Sequence, residues 1–110
     1  MNDELQRDLL SAIPKGEKNA ILSRDLQRVW GMNNKRSVSA QVEKFRKAGV
    51  LICSGERGYY IPETTEELEK FYLNYRKMAV SLLTVLKPCR KELKKRGITY
   101  DRKGKRKEMN

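Results

Sequence analysis

The side chains best equipped for chemistry in this sequence are cations on one short segment. "KRSVSAQVEKFRK", residues 35–47, sets Lys35, Arg36, Lys44 and Lys47 among the small side chains of Ser37, Ser39 and Ala40. An ammonium meets a phosphate as a compact charge, and a guanidinium fork matches the O6/N7 edge of guanine. That is chemistry of recognition. Bond-breaking chemistry has little to work with, because the chain contains no histidine, which excludes imidazole acid/base catalysis, Ser-His and Cys-His pairs and imidazole metal sites. Neither "GxxxxGK[ST]" nor "GxGxxG" occurs, and the carboxylates fall at spacings typical of helix surfaces and caps. Cys53 and Cys89 stand alone, at no metal-ligand spacing, and are expected as free thiols in a reducing cytoplasm. No enzymatic activity, metal, cofactor or small-molecule ligand is expected.

Composition supports a polyanionic partner. The net charge is +11, and residues 87–110 hold 11 of the 25 Lys/Arg against 3 of the 14 Asp/Glu. Such a charge concentrates nucleic acid or an anionic membrane surface around the chain. No run of about 18 apolar residues exists to span a bilayer, and "MNDELQRDLL" lacks the basic, apolar character of a secretory signal. A cytoplasmic protein without membrane contact is expected. At 110 residues one compact core is expected.

The elements that must position the cations follow from periodicity. Leu5, Leu9, Leu10 and Ile13 predict an amphipathic helix over 3–13, ended by the turn-rich "PKGEKNA". Ile21 and Leu22 form a short apolar pair; Ser23 then reads as the N-cap of a second helix that turns Leu26, Val29 and Trp30 inward and stops at Gly31. Asn33 or Asn34 can cap a third helix, over about 35–48, with Val38, Val42 and Phe45 on its apolar face. At about 100° per residue, Arg36, Ala40, Glu43 and Lys47 lie opposite, flanked by Ser39 and Lys44. "GVLICSGERGYYIP" then predicts a hairpin, with strands at "VLIC" and "YYI" and one of Tyr59 and Tyr60 buried.

Helix, helix, turn, helix, hairpin is the order of a helix-turn-helix followed by a wing. The stretch Leu22 to Ile61, above all "RSVSAQVEKFRKAGVLI" and "GYY", resembles the winged helix-turn-helix of the biotin-repressor type and is similar to small DNA-binding proteins of phages and prophages. The length leaves no space for a ligase domain, so the resemblance does not extend to biotin chemistry. It implies a mainly α fold with a small β-hairpin (α+β), a winged helix-turn-helix over 1–62, and sequence-specific binding of double-stranded DNA by the third helix in the major groove. Arg36, Ser37, Ser39, Ala40 and Glu43 would then face base edges, with Arg36 the foremost reader, and Lys35, Lys44 and Lys47 would lie nearer phosphates. Arg57, in the hairpin turn, would reach phosphate or the minor groove. The alternative for the same residues is a solvated helix face with Glu43 and Lys47 as an i, i+4 pair. Gln41 and Arg46 fall nearer the core. The role would be a phage or bacterial transcription regulator or replication accessory protein; the alternative is a winged-helix adaptor in a replication or packaging complex with weak or no DNA binding.

Residues 63–96 predict a long helix, capped at Thr64 or Thr65 and kinked or broken near Pro88. Leu68, Tyr72, Tyr75, Ala79, Leu82 and Leu86 recur at heptad spacing, widened by Phe71, Met78 and Val85. This seam can pack within the chain, stand as a strut, or pair with a second copy; acid at the helix start and base at its end favour an antiparallel homodimer. Residues 97–110 read as a basic, disordered tail able to contact phosphates.

Overall fold

The computed structural model describes residues 3–108. In chain order it contains α1 (Asp3–Ser11), a 3-10 turn (Glu17–Asn19), α2 (Ser23–Trp30), α3 (Lys35–Lys47), β1 (Cys53–Gly55), β2 (Gly58–Tyr60), α4 (Thr65–Lys95), β3 (Ile98–Tyr100) and β4 (Arg106–Glu108). The molecule is mainly helical with small antiparallel hairpins. It divides into two units, and the boundary falls inside α4, between Tyr72 and Leu73. The buried residues among those described all belong to the first unit.

That first core is built by helix faces. Leu26, Val38 and Val42 are at most 1% exposed and pack with Ile13, Phe45 and Ile52. The Trp30 indole ties α2 to α1, its Nε1 donating to Leu9 O at 2.8 Å, and its ring lies 6.4 Å from that of Phe45. Gly31 ends α2 in the left-handed region at φ 66°, where Gly31 N donates to Arg28 O and Met32 N to Gln27 O. Asn34 caps α3, its Oδ1 accepting from Ser37 N at 2.8 Å. Two expectations for α2 fail. Leu22 rather than Ser23 occupies the cap position, and no side chain bonds there. Val29 is 64% exposed, because α2 meets α3 along the line of Leu26 and Trp30 and Val29 falls beside it.

The first hairpin is shorter than "VLIC" and "YYI" suggest. Strand pairing begins at Cys53, with register Cys53↔Tyr60, Ser54↔Tyr59 and Gly55↔Gly58, leaving Glu56 and Arg57 as the turn. Tyr60 is the buried tyrosine, at 2%, and Tyr59 is half-buried. The other edge of β2 is covered by a segment that the sequence shows only as an apolar pair: Ile21 N donates to Tyr59 O at 2.9 Å and Tyr59 N to Ile21 O at 2.8 Å. Gly16 N bonds Ile61 O and Ile61 N bonds Pro14 O. An isolated two-stranded hairpin is marginal in water, and these bonds give it a third row.

α4 starts on a capping box. Thr64 Oγ1 accepts from Glu67 N at 3.2 Å, while the Glu67 carboxylate reaches back to the N–H groups of Glu63 and Thr64. The helix runs unbroken through Pro88 to Lys95, where the sequence suggests a kink or break. A proline inside a helix removes one donor; no residue of α4 is buried, so the carbonyl that loses its partner faces solvent. A second departure lies beyond it. In place of a disordered tail, β3 and β4 pair with register Ile98↔Glu108, Thr99↔Lys107 and Tyr100↔Arg106. Asp101 Oδ1 accepts from Lys103 N and Lys105 N, and Gly104 turns the chain at φ 82°. This Asx turn brings together two strands whose cationic composition hides them.

Candidate nucleic-acid interface

α3 separates its two faces sharply. Val38, Val42 and Phe45 are 0%, 1% and 4% exposed, whereas Lys35, Arg36, Ser39, Ala40, Glu43, Lys44 and Lys47 are all exposed and Ser37 is half-buried. The first turn contains no acid, so the positive end of the helix dipole adds to Lys35 and Arg36 rather than being neutralised. The result is one amphipathic helix whose outer face offers cationic donors at both ends and small hydroxyl and methyl groups between them.

Glu43 stands apart in this set. Its carboxylate lies 3.6 Å from Arg46, at i, i+3, rather than forming the i, i+4 pair with Lys47 that spacing allows. Arg46 is in turn drawn inward, donating from Nε to Ile52 O at 2.9 Å and from Nη2 to Ser54 Oγ at 3.2 Å, with its guanidinium 5.2 Å from the centroid of Phe71. It pins α3 to β1 and to the start of α4, as its place at the core boundary suggests. Gln41, its neighbour at that boundary, has a buried Nε2 with no hydrogen-bond partner.

Arg57 is exposed in the hairpin turn. It lines a groove of about 480 Å³ together with Glu17, Lys18, Glu63 and Glu67, so its surroundings are of mixed charge and its cation is not added to a uniformly positive field. Behind that groove lies a polar cluster that positions the base of the hairpin. Tyr60 donates its hydroxyl to Glu17 Oε2 at 3.2 Å, Lys70 Nζ lies 3.2 Å from Glu17 Oε1, and Glu67 Oε2 accepts from Glu17 N at 2.9 Å. The N–H groups of Glu17, Glu63 and Thr64 hold the Glu67 carboxyl below its usual range. Burial, then the bond to Glu17, pushes the Tyr60 phenol up from 10.0 to about 12.

These shifts set a pH window. Folding favours the neutral phenol, so the stability it contributes is complete below pH 10.0 and is lost as the pH rises toward about 12. Folding favours the ionised Glu67, so its contribution is present above the usual carboxylate range and is lost as the pH falls through its lowered value. Thermal midpoints across the pH range are expected to fall at both ends. Tyr60→Phe should flatten the alkaline limb and Glu67→Gln the acid limb.

The remaining candidates lie elsewhere. Arg102, Lys103, Lys105, Arg106 and Lys107 are exposed on the second hairpin. On the α4 seam, Tyr72, Tyr75, Leu82 and Leu86 are 59%, 40%, 65% and 52% exposed, Ala79 is exposed and Leu68 half-buried. Among the described residues there is no cluster of His, Cys, Asp or Glu able to hold a metal ion and no helix long and apolar enough to cross a membrane. The positioning residues that pattern reading misses are Ile21 and Gly58, which carry no charge and sit in no periodic run; the sole sequence signal is the β-branched residue before the second helix. No family model, no curated protein and no solved structure matches the chain.

Proposed function

We propose that this protein binds double-stranded DNA sequence-specifically as a winged helix-turn-helix, with α3 in the major groove, the β1–β2 hairpin as its wing, and a regulatory or replication-accessory role. The observation that carries the reading is α3 itself: its apolar face is buried in the core, while its outer face exposes Lys35, Arg36, Ser39, Ala40, Lys44 and Lys47 directly after a four-residue connection from α2. That is the arrangement needed for a helix to enter the groove with its first turns against base edges. Within it, Arg36, Ser39 and Ala40 read bases, and Lys35, Lys44 and Lys47 meet phosphates. Glu43 has a smaller part, because its carboxylate is engaged with Arg46. Arg57 contributes weakly, because its groove carries Glu63 and Glu67 beside it.

Selection of bound sequences from a random duplex pool tests the proposal. An enriched motif supports it; salt-sensitive binding without enrichment leaves only attraction to the DNA backbone, and no binding at all overturns it in favour of a protein-binding adaptor. The basic hairpin has its own readout. Replacing Arg102, Lys103, Lys105, Arg106 and Lys107 by Gln is expected to flatten the dependence of log affinity on log salt, by nearly one unit for each phosphate that these cations neutralise. An unchanged slope removes the hairpin from the interface.

A further inference from the structure

Because α4 continues through Pro88, its heptad seam does not stop at Leu86. It carries on to Cys89 and Leu93, so Leu68, Tyr72, Tyr75, Ala79, Leu82, Leu86, Cys89 and Leu93 form one a/d series along a single helix. The seam is exposed from Tyr72 to Cys89, a length of about 25 Å at 1.5 Å per residue. Two features say what covers it. Along the helix the large residues come first and the small ones are offset from them: Tyr72 and Tyr75, then Ala79, then Leu82, Leu86 and Cys89. The flanking charges are likewise asymmetric, with Glu69 before the seam and Arg90 after it.

We propose that α4 pairs antiparallel with α4 of a second copy of this chain, centred between Ala79 and Leu82. In that register Ala79 packs against the partner's Leu82, Tyr75 against the partner's Leu86, and Tyr72 against the partner's Cys89, so each of these three layers sets a larger side chain against a smaller one. Glu69 lies across from the partner's Arg90 at the facing e positions, twice by symmetry. A parallel pair would stack Tyr72 and Tyr75 on themselves, leave Ala79 opposite Ala79, and provide no acid–base pair across the seam. The end that receives Tyr72 is already shaped. Leu86, Cys89, Leu93, Ile98 and Tyr100 line an open groove of about 590 Å³ between the last turns of α4 and β3, and an aromatic ring from the second copy fills it beside Cys89. The pairing stands on α4 alone and does not depend on DNA binding.

Cysteine cross-linking under mild oxidation, with sedimentation velocity at tens of micromolar, tests the register. Cys53 is 1% exposed and does not take part. Wild type is expected to sediment as a dimer yet give no covalent dimer, since antiparallel pairing holds its two Cys89 residues about 25 Å apart along the axis, beyond the ~7 Å Cα separation that a disulfide tolerates. Tyr72→Cys is expected to cross-link, and adding Cys89→Ser to abolish the product. Leu82→Lys reads the seam without a thiol and is expected to sediment as a monomer with unchanged helical circular dichroism. A monomeric wild type, a covalent wild-type dimer through Cys89, or Tyr72→Cys that fails to cross-link or cross-links without Cys89 overturns the proposal. DNA binding measured on the same Leu82→Lys monomer, at a single half-site, separates the fate of this pairing from that of the α3 reading.

Discussion

Arg36→Ala is expected to weaken binding to the selected DNA site by about 1–3 kcal/mol, roughly 5- to 150-fold, and to relax base preference at one position of the motif. The size follows from the proposed contact, in which the guanidinium would donate two parallel hydrogen bonds to one guanine edge and leave that edge without partners when removed. The fold should not change, because Arg36 is exposed in the first turn of α3 and the core is made by residues on the opposite face. Lys44→Ala provides the contrast. Taking one ammonium away from a phosphate weakens all sequences alike and lowers the salt slope by nearly one unit. Equal effects of the two variants on random and selected duplexes would show that Arg36 reads no base.

Gly58→Ala is expected to be strongly damaging, on the order of 3 kcal/mol in unfolding free energy, measured by denaturant titration. Gly58 begins β2 at φ 111°, a region that side-chain-bearing residues rarely adopt. A Cβ there would also run into the backbone of Ile21 and Leu22, with the Ile21 carbonyl as the nearest obstacle. Backbone cannot step aside as a flexible side-chain end can, so the change attacks the bonds between Ile21 and Tyr59. Gly55→Ala, at the other end of the same turn, meets nothing within 4 Å and has no positive φ, and it should be nearly neutral. Similar losses for the two glycines would contradict this account.

What could be read from the chain, and what could not, divides along a physical line. The face of α3, the Asn34 cap, the Gly31 stop and the capping of α4 at Thr64 are local: each depends on residues within a turn or two, and periodicity or cap chemistry reports them directly; α1 was legible only in part, since it ends at Ser11 and leaves Leu5 55% exposed. The apolar face of α3 also determined its outer face, so the cations at 35, 36, 44 and 47 fell where expected. Pairings between distant segments left no such signal. Ile21 meets Tyr59 through backbone groups that every residue carries. Glu43 goes to Arg46 because the Ile52 carbonyl and Ser54 hydroxyl hold the guanidinium at the edge of the core, six and eight residues further on. At the C-terminal end, composition pointed to disorder while Asp101 and Gly104 supplied the turn. Pro88 argued for a kink or a break; the helix continues through it.

The bonds that join residues 14–21 to residues 59–61 also have a mechanical meaning. They close the chain on itself, so that α2, α3 and the first hairpin lie within a loop whose two ends are tied side by side by four backbone hydrogen bonds. Tension applied through α1 on one side and α4 on the other meets that tie first along the backbone, beside the side-chain contacts of Trp30 with Leu9 and of Arg46 with Phe71. The tie therefore takes a share of the load that would otherwise reach α3 through those contacts alone. While it holds, pulling on either end of the chain cannot draw α2 and α3 out in sequence.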